Sequence, residues 1–109
     1  MRDGFYRLHY KTGNVKGSGV LTLHEGVLTG CDPHYFLNGN YEKSGNRLEG
    51  VIYFERHTSR PNQNPIVPDL FKVRLSGLVG TDYGQFEFVC PEIPAINGQA
   101  RFTWLGEYQ

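Results

Sequence analysis

Runs in which every second residue is apolar recur along nearly the whole chain, as in Tyr6-Arg7-Leu8-His9-Tyr10 and Phe86-Glu87-Phe88-Val89-Cys90. Successive side chains of an extended strand point to opposite faces, so a period of two marks strands with one buried face. No helical stretch intervenes. Strands repeated end to end in this way predict an all-β fold: a closed or nearly closed antiparallel barrel of about eight strands in up-and-down order.

Turn residues divide the chain into about eight strands. Tyr6, Leu8 and Tyr10 share the inward face of 4–10, and a turn at Gly13-Asn14 leads to 17–23, with Gly19, Leu21 and Leu23 together. His24-Glu25-Gly26 reads as a tight hairpin into a short strand, 27–30. Tyr35, Leu37, Gly39 and Tyr41 line one face of 34–41, and Ser44-Gly45-Asn46 turns the chain again. Leu48, Gly50, Ile52 and Phe54 follow in 48–57. The segment 58–69 holds three prolines and no alternation, and reads as a long loop. Alternation returns at Phe71, Val73, Leu75, Gly77 and Val79, turns at Gly80-Thr81-Asp82, and continues at Phe86, Phe88 and Cys90. Pro91 and Pro94 lack the donors a central strand needs, so 91–98 is a second loop. Ala100, Phe102 and Trp104 face inward in the last strand. Arg7, Glu55, Lys72 and Glu87 fall on outward positions.

At 109 residues the chain is expected to form one domain, 1–109, whose core draws on seven Phe, seven Tyr and one Trp. Eleven basic and eleven acidic side chains leave a formal net charge of zero, which removes the long-range pull of a general nucleic-acid or anionic-membrane binder and argues against that class. The N-terminal residues carry no apolar run of signal-peptide length, and a cytoplasmic location is expected. Cys31 and Cys90 are then expected as free, buried thiols.

Gly39, Gly50 and Gly77 stand on inward faces in mid-strand. Such glycines let a sheet coil tightly, or leave room inside it. Buried tyrosines need partners for their hydroxyls. Two readings follow: a solid core, or an apolar cavity with a few polar handles. The second makes Tyr6, Leu8, Tyr10 and Leu21 cavity residues, together with Tyr35, Leu37, Gly39, Tyr41 and Ile52, and with Phe71, Phe86, Phe102 and Trp104. Its guest would be one small apolar or lipid-like ligand.

Signatures of reaction chemistry are sparse. The histidines are His9, His24, His34 and His57, and only Cys31-Asp32-Pro33-His34 pairs two metal-binding types. A structural zinc site needs two such pairs, so no metal and no cofactor are expected. Gly17-Ser18-Gly19 is a partial nucleophile motif on a strand. Cys31 with His34 is the best dyad, and with the tyrosine hydroxyls it makes the enzymatic alternative to a non-enzymatic binder. Glu42, Glu49, Glu55 and Glu87 mostly fall outward, so no carboxylate pair shares a cleft. Gly26-Val27-Leu28-Thr29-Gly30 lacks the ending of a phosphate loop. Phe5, Val51, Tyr53 and Leu105 are apolar and outward, the mark of an interface, with a homodimer as the expected assembly. A purely dimerising scaffold with a filled barrel is the remaining alternative.

Several segments together resemble a known family. They are Asp3-Gly4-Phe5-Tyr6, then Gly17-x-Gly19-Val20 through His24-Glu25-Gly26-Val27-Leu28-x-Gly30-Cys31-Asp32, then Tyr35-x-Leu37-x-Gly39-x-Tyr41 and Asn46-x-Leu48-x-Gly50. Leu75-x-Gly77 through Thr81 to Phe86, and the proline-bearing loop before Phe102, complete the set. In order and spacing these resemble the GrlR-type negative regulators of type III secretion gene expression. The resemblance implies a lipocalin-like eight-stranded barrel with a hydrophobic cavity, commonly dimeric. It also implies a bacterial cytoplasmic regulator that sequesters a transcriptional activator through four acidic residues on a surface loop. The corresponding turn here reads Glu42-Lys43-Ser44-Gly45-Asn46, with one acid and one base.

Overall fold

The computed structural model describes residues 1–13, 15–58 and 68–107. Asn14 and most of the expected 58–69 loop lie outside the described residues. The chain forms eight strands: β1 (Gly4–Thr12), β2 (Val15–His24), β3 (Val27–Cys31), β4 (Tyr35–Ser44), β5 (Arg47–Arg56), β6 (Leu70–Val79), β7 (Tyr83–Val89) and β8 (Gly98–Glu107). Each pairs antiparallel with its sequence neighbour, and β8 returns to pair with β1, which closes an up-and-down barrel. Closure leaves no strand edge unpaired. Several strands run past their last alternating apolar residue; β1 continues to Thr12 and β4 to Ser44.

Turn chemistry explains the hairpins. Glu25 and Gly26 both have positive φ, 48° and 82°, in a two-residue loop closed by the His24–Val27 pair. Left-handed conformations at both positions match the right-handed twist of the flanking strands. Between β7 and β8 the prolines forbid a ladder, and Pro94–Ile96 form a single 3₁₀ turn instead. Asn97 holds that loop through its Oδ1, which accepts from the Cys90 amide at 2.7 Å.

The inward face follows the alternation. Leu8, Leu21, Leu37, Ile52, Phe71, Phe86 and Phe102 are all buried, while Arg7, Glu55 and Glu87 are exposed. Three expectations need correction. Lys72 is half-buried, because it lines a concave groove on the outer wall of β4–β7 beside its cross-strand neighbour Tyr53. Trp104 points inward but is also half-buried. A register shift between Phe5 and Tyr6 sets Trp104 opposite Tyr6 at the barrel's end. The two rings meet edge to face at 5.4 Å, and the Arg2 guanidinium covers the indole at 3.7 Å. Finally, both cysteines are free, but only Cys90 is buried. Cys31 is the last residue of β3 and lies on its outward side, in register with Val20 and Phe36.

The interior glycines admit the backbone of the neighbouring strand and do not themselves add space to the interior. An ideal Cβ would lie 2.1 Å from the Val51 carbonyl oxygen at Gly39 and 2.8 Å from that of Asn40 at Gly50. At Gly77 it would lie 2.0 Å from the Gln85 carbonyl oxygen. The space of each missing side chain is taken by the backbone of the adjacent strand.

Candidate functional site

As formed by the described residues, the barrel is packed at one end and open at the other. At the packed end Tyr6, Leu23, Leu28, Leu48 and Phe86 are almost fully buried. The N-terminal residues cross this end: Tyr6 donates its hydroxyl hydrogen to the Arg2 carbonyl, and Arg2 pairs with Asp82 at 2.9 Å. Toward the other end a cavity of about 580 Å³ occupies the barrel. Its walls are aliphatic and aromatic, with Leu8, Leu21, Leu37, Ile52, Val73 and Leu75 from β1, β2, β4, β5 and β6. Phe88 and Phe102 complete the far wall, and Ala95 and Ile96 of the 3₁₀ turn stand at the rim. The volume and apolar lining are those of a small-molecule site.

Among the described lining residues, the charged groups gather at the mouth. Asp32 follows β3, and although just 7% exposed it carries a carboxylate. That carboxylate is fully engaged: Oδ1 accepts from the amides of His34 (2.8 Å) and Tyr35 (2.6 Å), and Oδ2 from the Tyr10 hydroxyl (3.1 Å). The Asp32 carbonyl lies 3.0 Å from Nε2 of His57. Asp32 thus fixes the β3–β4 turn, and through Tyr10 it ties that turn to β1. Tyr35 donates its hydroxyl hydrogen to the Pro68 carbonyl (3.2 Å), and its ring sits edge-on to Phe54 and Phe71, which stack at 4.8 Å. Arg56, the last residue of β5, pairs with Tyr35 and brings its guanidinium within 5.5 Å of the Tyr35 ring.

Burial governs the hydroxyls of Tyr6, Tyr10 and Tyr41. Desolvation raises Tyr6 to about 12, and raises Tyr41 as well. Tyr10 is raised by desolvation first and by the Asp32 charge second. Unfolded phenols ionise near pH 10. Above that pH the folded chain therefore holds more protons than the unfolded one, so stability is full below about pH 10 and is lost as pH rises toward 12. A spectroscopic phenolate titration is expected to show a late step that coincides with loss of the strand circular dichroism signal. Complete tyrosine ionisation with the fold intact would contradict this burial.

Of the residues expected to line a cavity, Leu8, Tyr10, Leu21, Tyr35, Leu37, Ile52, Phe71 and Phe102 do so. Tyr6, Gly39, Tyr41, Phe86 and Trp104 do not. Tyr6, Phe86 and Trp104 belong to the packed end, and Gly39 lies against a neighbouring backbone. Asp32, His34 and Arg56 line the cavity and were not expected there. For Arg56 the signal was present: one further step of the series Leu48, Gly50, Ile52, Phe54 reaches it. Cys31 and His34 do not form a dyad, since Cys31 is outward and exposed while His34 lines the mouth. No three His, Cys, Asp or Glu side chains gather to hold a metal among the described residues. The four outward residues form no single patch. Phe5 and Leu105 stand on the adjoining strands β1 and β8, whereas Val51 and Tyr53 stand on β5, halfway round the barrel.

No protein-family model and no curated protein matches the chain. No helix among the described residues is long and apolar enough to cross a membrane.

Proposed function

We propose that this protein is a container: a barrel that holds one elongated, mainly apolar small molecule without reacting with it. The observation that carries this reading is the 580 Å³ cavity, apolar along its walls and with its charged groups at its mouth. An eight-stranded barrel is just wide enough either to fill with its own side chains or to hold one small guest. Here the packed end does the first and leaves the open end for the second, which counts against a filled scaffold. The distribution of polarity supports a guest taken from water. Exposed Arg7, Glu55, Arg74 and Glu87 face outward and the apolar residues inward, the reverse of a lipid-facing barrel. Raised tyrosines at neutral pH neither accept nor release protons, which counts against an acid–base role for Tyr6, Tyr10 and Tyr41. That the chain also acts on a transcriptional activator rests on the family resemblance alone. The β4–β5 hairpin carries Glu42 and Lys43 where that role would call for four acids.

A neutral environment-sensitive dye such as Nile red is expected to bind once per barrel, and to stay bound at high salt, because apolar burial is little screened. Val73 is 2% exposed and faces the cavity from the middle of β6. Val73→Trp fills that space and is expected to abolish dye binding with the circular dichroism spectrum retained. A wild-type protein that takes up no dye, or a folded Val73→Trp variant that binds it as well as wild type, would remove the container reading.

A further inference from the structure

We propose that the mouth selects a head group as well as admitting a chain, and that the guest is an unbranched carboxylate of about ten carbons whose carboxylate is held by Arg56; the chain length follows from an extended-chain advance of about 1.2 Å per bond. This rests on the container reading and adds to it the chemistry of the ligand's polar end.

Among the described residues two formally charged side chains line the cavity apart from the histidine, Asp32 and Arg56, and they differ in what they have left to offer. Both oxygens of Asp32 are occupied by the three protein donors already described. Arg56 is the opposite case. Its Nε donates to the Thr58 carbonyl at 3.0 Å, and its guanidinium faces the Tyr35 ring. Among the described residues no carboxylate lies within ion-pair distance of it, and its two terminal nitrogens have no acceptor. A half-buried guanidinium with an unspent fork of N–H groups is a site for a planar anion. Apolar walls on either side strengthen that attraction by lowering the local dielectric.

A single guanidinium matches the single charge of a carboxylate. A phosphate monoester would bring about two charges close to the buried Asp32 carboxylate, with no second Arg or Lys among the described cavity-lining residues to offset them. Length follows from the strand rise. On β5 the lining runs from Arg56 to Ile52, and on β6 from Phe71 to Leu75. Four residues at about 3.3 Å each give roughly 13 Å of wall. At about 1.2 Å per bond, an extended chain of about ten carbons spans it.

Isothermal titration calorimetry with decanoate, decanol and decylamine separates head group from chain. Decanoate is expected to bind about tenfold or more tighter than decanol, the factor a charge-assisted hydrogen-bond pair supplies. Arg56→Gln is expected to bring decanoate down to the level of decanol measured on the same variant, and Arg56→Lys to retain part of the preference. Hexanoate should bind more weakly than decanoate, and hexadecanoate should gain nothing per added carbon. Decanoate and decanol binding equally, an Arg56→Gln variant that keeps the preference, or decylamine binding best would each overturn the inference and leave the container standing. If none of the three ten-carbon probes binds, the container reading itself falls. Should Arg56→Gln fail to fold, the wild-type comparison of decanoate with decanol still decides.

Discussion

Gly77→Ala is expected to destabilise the barrel by about 3 kcal/mol or more, the upper range for forcing extra volume into a packed interior. Ordinarily the sign would be opposite. Alanine in mid-strand improves on glycine by roughly 0.5–1 kcal/mol, partly by restricting the unfolded chain. Contact geometry decides the matter at this site. The new methyl carbon would lie 2.0 Å from the Gln85 carbonyl oxygen and 2.7 Å from the Phe86 Cα. Both are backbone atoms of β7, held in register by the Gly77–Phe86 and Leu78–Gln85 pairs. In a closed barrel β7 is also tied to β8, so it cannot withdraw alone. Gly106 is the control: a Cβ there meets nothing within 4 Å, and Gly106→Ala is expected to change stability by less than about 0.5 kcal/mol. Urea denaturation of the two variants checks both expectations. Equal midpoints would mean that β6 and β7 are not in close contact at Gly77.

By the same geometry, a larger side chain at Gly39 would not plug the cavity. A side chain there would strike the Val51 carbonyl before reaching the interior. Alternation tells which face of a strand a glycine occupies, but not what stands beside it across the ladder. For that reason the fold was legible in the sequence and the use of its glycines was not. The strands, the tight Glu25-Gly26 hairpin and the proline loop all follow from local patterning, which burial imposes directly. Depth along the barrel is a different quantity. Tyr6 and Tyr10 carry the same period-two signal, yet one is sealed beneath Arg2 and the other faces the cavity. Which wall an outward residue occupies is equally silent, and so Phe5 and Val51 looked alike while standing far apart round the sheet. Asp32 was hidden for another reason. Its carboxylate serves amides two and three residues ahead, and the same composition describes any Asp-Pro turn.

Phe86→Ala is expected to cost about 3–5 kcal/mol, the usual range for such truncations, and Phe71→Ala about 2 kcal/mol, below that range. Both are inward aromatics on neighbouring strands, and the difference lies in what surrounds them. Phe86 is 1% exposed in the packed end, over Gly77 and Gly84, with its centroid 4.5 Å from that of Phe102. Deleting its ring opens a void that the closed ladder cannot collapse to fill. Phe71 is 8% exposed and already faces the cavity on one side. Atoms that border empty space make fewer dispersion contacts, so fewer are lost on truncation. Its stacking on Phe54 and its edge contact with Tyr35 remain to be forfeited. The two variants should therefore separate stability from binding. Phe86→Ala should lower the urea midpoint strongly and leave dye affinity unchanged in the folded fraction. Phe71→Ala should lower the midpoint less and weaken the dye, because it strips the guest of one of the aromatic surfaces at the mouth. Equal losses of stability at the two sites would mean that the barrel is packed alike at both ends, and the cavity would then have no counterpart in solution.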